Sequence, residues 1–208
     1  FGWEDMRLPT IKALRRRGFS PQSLRDFWID LGLTQKDIAI PMQTLGAFNS
    51  SLIDSNSERR SFVADPVTLE IANECPVSQI LPPRHPDGTI PGCREWTIGS
   101  LVCVQSEDAG FSKFRLKEFA DVELKDGAIL IESIKRSDER PIVHWIPEQI
   151  ARVAELLRPA GEEIYTISGV IEDFELKVGE VYQLERVGFA KVESLPAEGP
   201  VELLWLHG

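Results

Sequence analysis

The chain has 208 residues, a formal net charge of −10 and a sequence pI of about 4.9, a balance that argues against a general polyanion binder. No apolar run approaches the roughly 20 residues of a membrane helix, and no signal-peptide pattern precedes the first predicted helix. We therefore expect a cytoplasmic piece of a longer protein with no membrane partner, and we favour a monomer.

The acidic charge is concentrated toward the C-terminal end. The net charge is +1 for residues 1–57, −2 for residues 58–118 and −9 for residues 119–208. Because neutralising phosphates gives nucleic-acid binding its strength, any nucleic-acid surface should draw on the first two thirds of the chain.

The cysteines do not indicate a metal site or a disulfide framework. Cys75, Cys93 and Cys103 are 18 and 10 positions apart, form no C-x-x-C pair and are accompanied by three histidines. We expect all three to be buried thiols that pack as small apolar side chains.

Two helices are predicted near the start of the chain. Thr10 is a suitable N-cap for the segment IKALRRR, which ends at Gly18, so that Arg15 to Arg17 fall in the last turn. Ser20 and Pro21 start a second, amphipathic helix that ends at Gly32. A third helical start is predicted at Thr34 before QKDI, and PMQTLGAFNSSLID predicts a further helix.

The remainder of the chain has the pattern of short strands. FVADPVTLEIA alternates between apolar and polar residues, and Asp126-Gly127 separates two apolar runs as in a hairpin. PIVHWI, EIYTISGVI, VYQLERVGFAKVE and PVELLWL follow at short spacing. Many short strands without interleaved helices predict a mainly β protein with antiparallel barrels behind an N-terminal helical region.

No catalytic constellation is recognisable. His85, His144 and His207 lie outside any nucleophile context, and for His144 we expect a packed or hydrogen-bonded barrel histidine. Glycine-rich phosphate loops are missing, and no carboxylate pair stands out as an acid and base. The residues alone indicate a non-catalytic helix-plus-barrel protein.

The opening stretch resembles a segment of class I glutamyl- and glutaminyl-tRNA synthetases. In that family it has the approximate pattern G-W-D-D-P-R-[LM]-P-T-[IL]-x-[AG]-L-R-R-R-G, which residues 2–18 match at nearly every position. The resemblance continues through Leu52-Ile53-Asp54, His144-Trp145 and Glu185-Arg186-Val187-Gly188-Phe189 to the end of the chain. The ending and the segment ADVELK are more similar to archaeal glutamyl enzymes than to glutaminyl ones.

The resemblance implies a helical stem-contact subdomain over residues 1–57 and two antiparallel β-barrels over residues 58–208. The barrels are expected to bind the anticodon loop of tRNA(Glu), with tRNA(Gln) as a further partner, rather than DNA. The distal barrel is expected at about 86–140. The whole protein would be a glutamate–tRNA ligase that uses ATP and Mg. The catalytic domain would precede Phe1, so this fragment is expected to carry no catalytic residue, cofactor or metal.

The resemblance also implies tRNA contacts at particular positions. Arg59 corresponds to a family arginine that reaches the anticodon loop, and Arg115 to one that reads the third anticodon base. A guanidinium fork can stack on an unpaired base or hydrogen-bond its edge. The further expected tRNA-binding residues are Arg15, Arg16, Arg17, Lys113, Lys117 and Lys125. Phe111 or Phe114 could provide a stacking face.

Each assignment has a structural alternative. Cations at a helix C-terminus gain about 0.3–1 kcal/mol from the helix dipole without any ligand. Consecutive helical residues are about 100° apart, so Arg15 to Arg17 cannot all face one backbone. Lys113, Arg115 and Lys117 alternate, as on an ordinary polar strand face. Arg59 would alternatively be a solvated linker charge.

Two departures from the family pattern weaken the expected contacts. Met6 replaces a usual proline, and Asn49-Ser50-Ser51 replaces Asn-Arg-Lys, which removes two cations. We therefore expect weak, salt-sensitive binding by the fragment.

Two other functions stay open for the chain. The alternatives are a glutaminyl enzyme and a β-barrel module recruited for protein interaction.

Overall fold

The computed structural model describes residues 2–33, 38–137 and 139–208. Three helices come first: α1 (Ile11–Arg17), α2 (Pro21–Leu31) and α3 (Met42–Ile53). The helical start predicted at Thr34 lies outside the described residues. None of the described helices is long and apolar enough to cross a membrane.

The helix ends follow the predicted capping signals. Thr10 accepts a hydrogen bond from the Ala13 amide, and Gly18 closes α1 in the left-handed region at φ 108°. A Cβ at Gly18 would also lie 2.8 Å from the side chain of Val181, so both the turn and the packing require glycine. Ser20 caps α2 with Pro21 in its first turn, as predicted.

Sixteen strands are present in the part of the chain that the structure describes. They are β1 (Arg59–Arg60), β2 (Phe62–Ala64), β3 (Pro66–Ile71), β4 (Gln79–Ile80), β5 (Trp96–Thr97), β6 (Leu101–Gln105), β7 (Lys113–Leu116), β8 (Asp121–Lys125), β9 (Ala128–Ser133), β10 (Ile142–Val143), β11 (Trp145–Pro147), β12 (Ala151–Ala160), β13 (Glu163–Glu172), β14 (Val181–Leu184), β15 (Gly188–Ser194) and β16 (Val201–His207).

The first sheet has the order β1-β14-β15-β16-β12-β13-β2 and is called here the proximal barrel. Its two edge strands are consecutive in the chain, because β1 pairs with β14 and β2 pairs with β13 on either side of Ser61. The Ser61 carbonyl accepts the Glu172 amide, and the Arg60 carbonyl accepts the Glu185 amide. Residues 59–64 thus link both edges and nearly close the barrel.

The second sheet, the distal barrel, has the order β10-β7-β8-β9-β3-β6-β11 and nearly closes in the same way. β10 pairs with β7 and β11 pairs with β6, with His144 between the two short strands. Residues 66–71 and 142–147 therefore belong to this sheet, which extends beyond the expected range of 86–140 at both ends. β4 and β5 form a separate small sheet.

The mainly β fold with N-terminal helices and two barrels is confirmed, but not every strand pair is antiparallel. β1 with β14, β10 with β7, β12 with β16 and β3 with β9 are parallel. The predicted hairpin of β8 and β9 is confirmed, because Asp126 and Gly127 both have positive φ angles, 52° and 83°, as a tight primed turn requires.

Each barrel has its own apolar core, and the helices share a third with the proximal barrel. Leu156 and Leu184 are fully buried in the proximal core, and Phe114 and Trp145 are buried in the distal core. The third cluster packs residues of the helical region against β15 and β16: Leu14, Phe19, Phe27, Leu45, Phe189 and Leu206. The helical region is therefore fixed to the proximal barrel.

The three cysteines differ in exposure. Cys103 is buried, and burial raises the pKa of its thiol. Cys75 is half-buried and Cys93 is exposed, so the expectation of three buried thiols is wrong for Cys93. Cys93 forms an isolated β-bridge with Pro83, outside the strands of both barrels.

A buried histidine joins the helices to the last strand. Asn49 of α3 donates its side-chain amide to Nε2 of His207 at 2.8 Å, while its Oδ1 accepts the Ser20 amide. A Cβ at Gly46 would lie 2.9 Å from His207, so α3 approaches the ring closely. Burial, together with the charge of Arg17, lowers the pKa of His207 to about 4.

This shift predicts a loss of stability in mild acid. Because the folded-state pKa of His207 lies below the ordinary value of about 6.5, its contribution is complete above that value and is lost as the pH falls toward 4. Between pH 7.5 and 5 we expect the free energy of unfolding to fall by about 2 kcal/mol through this residue. Urea unfolding of the native chain and of His207→Gln, which keeps an acceptor for Asn49, measures the difference. Equal pH dependence in both proteins would contradict the assignment.

Candidate nucleic-acid interface

A cleft of about 250 Å³ lies between the two barrels. The proximal barrel contributes Arg59 and the end of β14, and the distal barrel contributes the turn after β7 and the residue between β10 and β11. The cleft is lined by Arg59, Pro83, Pro86, Arg94, Lys117, Glu118, His144, Gln183, Glu185 and Arg186. Four of these ten residues are Arg or Lys, in a protein of net charge −10.

Arg59 enters the cleft from the proximal barrel. Its backbone is held on both sides, because its amide donates to the Arg84 carbonyl at 2.8 Å and β1 pairs it with Gln183. Its guanidinium Nη2 lies 2.9 Å from Asp54 Oδ1, and its side chain is 12% exposed. Arg59 is therefore an ordered wall residue of the cleft, and the alternative of a solvated linker charge is not what the structure shows.

Lys117 and His144 enter from the distal barrel and share one carboxylate of the proximal barrel. Lys117 Nζ donates to Glu185 Oε1 at 2.6 Å, and His144 Nδ1 lies 2.8 Å from Glu185 Oε2. Burial raises the pKa of Glu185, but the hydrogen bonds from His144 and Lys117 outweigh burial and lower it to about 2. Glu185 is thus ionised at neutral pH, and His144 is hydrogen-bonded as expected.

Of the ten cleft residues, Arg59 and Lys117 were proposed from the sequence as tRNA contacts, and Gln183 and Arg186 are among the eight that were not. Gln183 lies beside Arg59 in the parallel pair of β1 and β14. Arg186 follows β14 at φ 64°, and its guanidinium Nη1 lies 2.9 Å from Asp108. Both are 124 or more positions from Arg59 in sequence, so no local pattern could indicate that they share a site. The family resemblance of residues 185–189 was a signal for Arg186 but does not include Gln183.

A buried ion cluster lies next to the cleft and includes the cleft residue Arg94. Arg94 Nη1 donates to both carboxylate oxygens of Glu172, at 2.8 and 2.7 Å, and Arg60 Nε lies 3.7 Å from Glu172 Oε1. Burial raises the pKa of Glu172, and the two guanidinium groups act against that rise. Glu58 binds Arg60 and Arg84, at 2.7 and 3.0 Å. This cluster connects the segment that carries Arg94 to the proximal barrel.

Arg115 does not lie on an open face. Its side chain is 10% exposed, and its Nη1 donates to Asp121 Oδ1 at 2.7 Å. Its Nη2 contacts the carbonyls of Phe119 and Ile134, each at 3.3 Å. The alternation of Lys113, Arg115 and Lys117 therefore does not produce one exposed cationic strip.

The other distal-barrel residues proposed from the sequence lie apart from the cleft lining. Lys113 is 50% exposed and contacts Glu132 at 3.1 Å and Glu123 at 3.7 Å. Lys125 is exposed at the end of β8, and within the described ranges its side chain has no hydrogen bond or ion pair. Phe114 is fully buried in the core and offers no stacking face, whereas Phe111 is 43% exposed and is available as a flat apolar face.

The three arginines of α1 have three different environments. Arg15 is exposed and makes no ion pair with any described residue. Arg16 Nε donates to Glu193 at 2.8 Å. Arg17 is buried and donates to the carbonyls of Trp205 and Leu206, and burial lowers the pKa of Arg17 to about 10. The structure thus directs Arg17 into the protein and Arg15 to solvent.

No group of three or more His, Cys, Asp or Glu residues within the described parts of the chain could hold a metal ion. The site offers guanidinium, ammonium and amide donors in a walled cleft. Such donors suit the phosphates and base edges of an unpaired nucleic-acid loop.

Comparison with known proteins agrees with this chemistry. Residues 57–146 match the family model described as "tRNA synthetases class I (E and Q), anti-codon binding domain". Proteins named glutamate–tRNA ligase are similar over nearly the whole chain: one from Pyrococcus abyssi is 34% identical over 97% of this chain and 38% of its own length. Others are from Methanosarcina mazei (34% identical; 96% and 36%) and Methanococcoides burtonii (37% identical; 93% and 35%). The chain thus spans little more than a third of these relatives.

The burial of Arg115 predicts a larger role in stability than its type would suggest. Arg115→Ala leaves Asp121 as a buried carboxylate without its closest cation, and we expect a loss of about 3 kcal/mol in the free energy of unfolding. Lys113→Ala, on the same strand but half exposed, is the matched control, with an expected loss below about 1 kcal/mol.

Urea unfolding of both variants measures the two losses. The double variant Arg115→Ala/Asp121→Ala should recover part of the loss, because it removes the uncompensated charge. A loss for Arg115→Ala no larger than that for Lys113→Ala would show that the buried pair contributes little.

Proposed function

We propose that this chain, which belongs over residues 57–146 to the anticodon-binding domain family of class I tRNA synthetases (E and Q), binds the anticodon loop of tRNA(Glu) for a glutamate–tRNA ligase. The observation that carries the proposal is the cleft between the barrels, with Arg59, Lys117 and Arg186 in its walls. The family model that the chain matches and the donor groups of the cleft both favour RNA as the ligand. The names of the relatives favour glutamate over glutamine.

The cleft suits an anticodon base that has left the stack. Specific recognition of single-stranded RNA places unpaired bases against arginine planes or aromatic rings and hydrogen-bonds their edges. Arg59 and Gln183 stand side by side in one wall, and Lys117 stands in the other. Amide and guanidinium groups can read a base edge, whereas the ammonium group of lysine acts as a point charge suited to phosphate.

The remaining surface cations are proposed as backbone contacts. Lys113, Lys125, Arg15 and Arg16 are at least partly accessible, and phosphate contacts need charge more than exact geometry. Arg17 and Arg115 have their donors occupied inside the protein, so we assign them an indirect part, which is to hold α1 and the turn after β7. The surrounding acidity makes the binding of this chain modest and dependent on salt.

The whole protein is proposed to activate glutamate with ATP and Mg and to transfer it to the tRNA in the cytoplasm. This part of the proposal is supported by the names of relatives that are more than twice as long as the chain. The anticodon-binding role does not depend on it.

Titration of the chain with tRNA transcripts at low salt tests the role of the cleft. We expect tRNA(Glu) to bind more tightly than an unrelated tRNA, and Arg59→Ala to weaken tRNA(Glu) binding by about 1–3 kcal/mol and to reduce the preference. Arg152→Ala, which removes an arginine of the proximal barrel outside the cleft lining, is the control and should have a much smaller effect. Including tRNA(Gln) reports whether the two related tRNAs are distinguished.

Lys125→Ala should behave differently from Arg59→Ala. As a phosphate contact it should weaken binding of all tRNAs about equally and reduce the salt slope by about 1. Equal affinity of the native chain for all tRNAs, unchanged by Arg59→Ala, would refute anticodon recognition by the cleft and favour a protein-interaction role.

A further inference from the structure

We propose that Asp54 is a positioning residue that fixes the direction of the Arg59 side chain, an inference that rests on the proposed function of the cleft. Asp54 follows α3 and begins a short turn of residues 54–56. It is not itself part of the cleft lining. It would act on RNA only through the arginine.

The place of Asp54 in the chain is electrostatically unfavourable for a carboxylate. Asp54 is the C-cap of α3, and its amide donates to the Ser50 carbonyl. The C-terminal end of a helix carries partial negative charge, so a carboxylate there is repelled and a cation would be favoured. The end of α3 therefore does not favour an acidic residue at this position, whereas a cationic partner outside the helix does.

That partner is Arg59. Asp54 Oδ1 lies 2.9 Å from Arg59 Nη2, and Arg59 Nη1 makes only a long contact of 3.4 Å with the Ser57 carbonyl. Asp54 therefore provides the one short side-chain contact that Arg59 makes with the described residues. Arginine has several rotatable bonds, and an ion pair at one edge of its planar fork restricts the directions in which its other donors can point.

Asp54 is attached to a rigid part of the molecule. Nε2 of the buried His85 lies 3.1 Å from the Asp54 carbonyl oxygen. The preceding helix is fixed by the buried side chain of Asn49, which bonds to Ser20 and His207. A carboxylate on such a support can hold a guanidinium in place, because its own backbone does not follow the arginine.

Arg59 differs in this respect from Lys117 and Arg186, two cleft cations whose carboxylate partners lie on the other side of the barrel junction. Lys117 of the distal barrel contacts Glu185 of the proximal barrel, and Arg186 of the proximal barrel contacts Asp108 beside the distal barrel. Those two pairs hold the barrels against each other. The pair of Asp54 and Arg59 instead connects the cleft to the helical region.

The proposal predicts an effect of opposite sign to simple electrostatics. The Asp54 carboxylate is 45% exposed, so an uninvolved negative charge there would repel RNA, and its removal would tighten binding. A positioning role predicts the reverse for Asp54→Asn, which keeps the shape and removes the charge. We expect about threefold weaker binding of a tRNA(Glu) transcript, in line with the loss of a partly exposed ion pair.

The test is a double-mutant cycle in the complete chain. Binding of tRNA(Glu), and of the same transcript with its three anticodon bases replaced, is measured for the native chain, Asp54→Asn, Arg59→Ala and the double variant. We expect Asp54→Asn to reduce the preference for the native anticodon and to have no further effect once Arg59 is alanine. Asp30→Asn, an exposed carboxylate on α2, is the matched charge control, for which binding should stay equal or tighten slightly. Circular dichroism on heating checks that all variants are folded.

The outcomes separate this inference from the proposed function. If Arg59→Ala weakens binding but Asp54→Asn leaves it unchanged or tightens it, the positioning role is wrong and the function of the cleft stands. An additive effect of the two substitutions would also overturn the inference, because Asp54 would then act independently of Arg59. If neither Arg59→Ala nor replacement of the anticodon changes binding, the proposed function fails, and the inference with it.

Discussion

The structure depends on the way in which each barrel closes. A single short segment is shared between the two edges of its sheet: residues 59–64 in the proximal barrel and residues 142–147 in the distal barrel. The chain must turn between the two half-strands, at Ser61 and at His144, and unpaired edges are thereby almost eliminated. The same turns place Arg59 and His144 at the junction of the barrels. The two segments that close the sheets therefore also provide residues of the cleft lining.

Charge compensation then determines what the cleft can bind. Its cations lie beside carboxylates of other elements, as Lys117 lies beside Glu185 and Arg186 beside Asp108. These contacts reduce the free positive potential, so the cleft is a weak attractor of polyanions in general. They also restrict the directions in which the donors point, which favours recognition of one base edge over another. Under the proposed function, an acidic chain therefore reads RNA through the geometry of its donors, with modest affinity.

The sequence was sufficient for features whose causes are local. Thr10 and Gly18 cap α1, and Asp126-Gly127 turns the hairpin, because each depends on the backbone preferences of one or two residues. The contacts of the predicted arginines could not be foreseen in this way. Arg17 bonds to carbonyls of β16, a strand that lies nearly 190 positions later, and Gln183 reaches Arg59 only through a parallel pair of distant strands. Sequence pattern indicates residue type and spacing, but the partner of a long side chain depends on the closed barrel.

Arg115 shows how a residue can matter to the cleft without being exposed in it. Its guanidinium contacts Asp121 and the Phe119 carbonyl, on the far side of the turn after β7. That turn is also held by the Leu116 amide, which donates to the Ala120 carbonyl, and it presents Lys117 to the cleft. Loss of Arg115 would therefore disturb the wall that carries Lys117 as well as the stability of the distal barrel. Reduced tRNA binding by an Arg115 variant would not by itself identify a base contact, and its stability must be measured alongside.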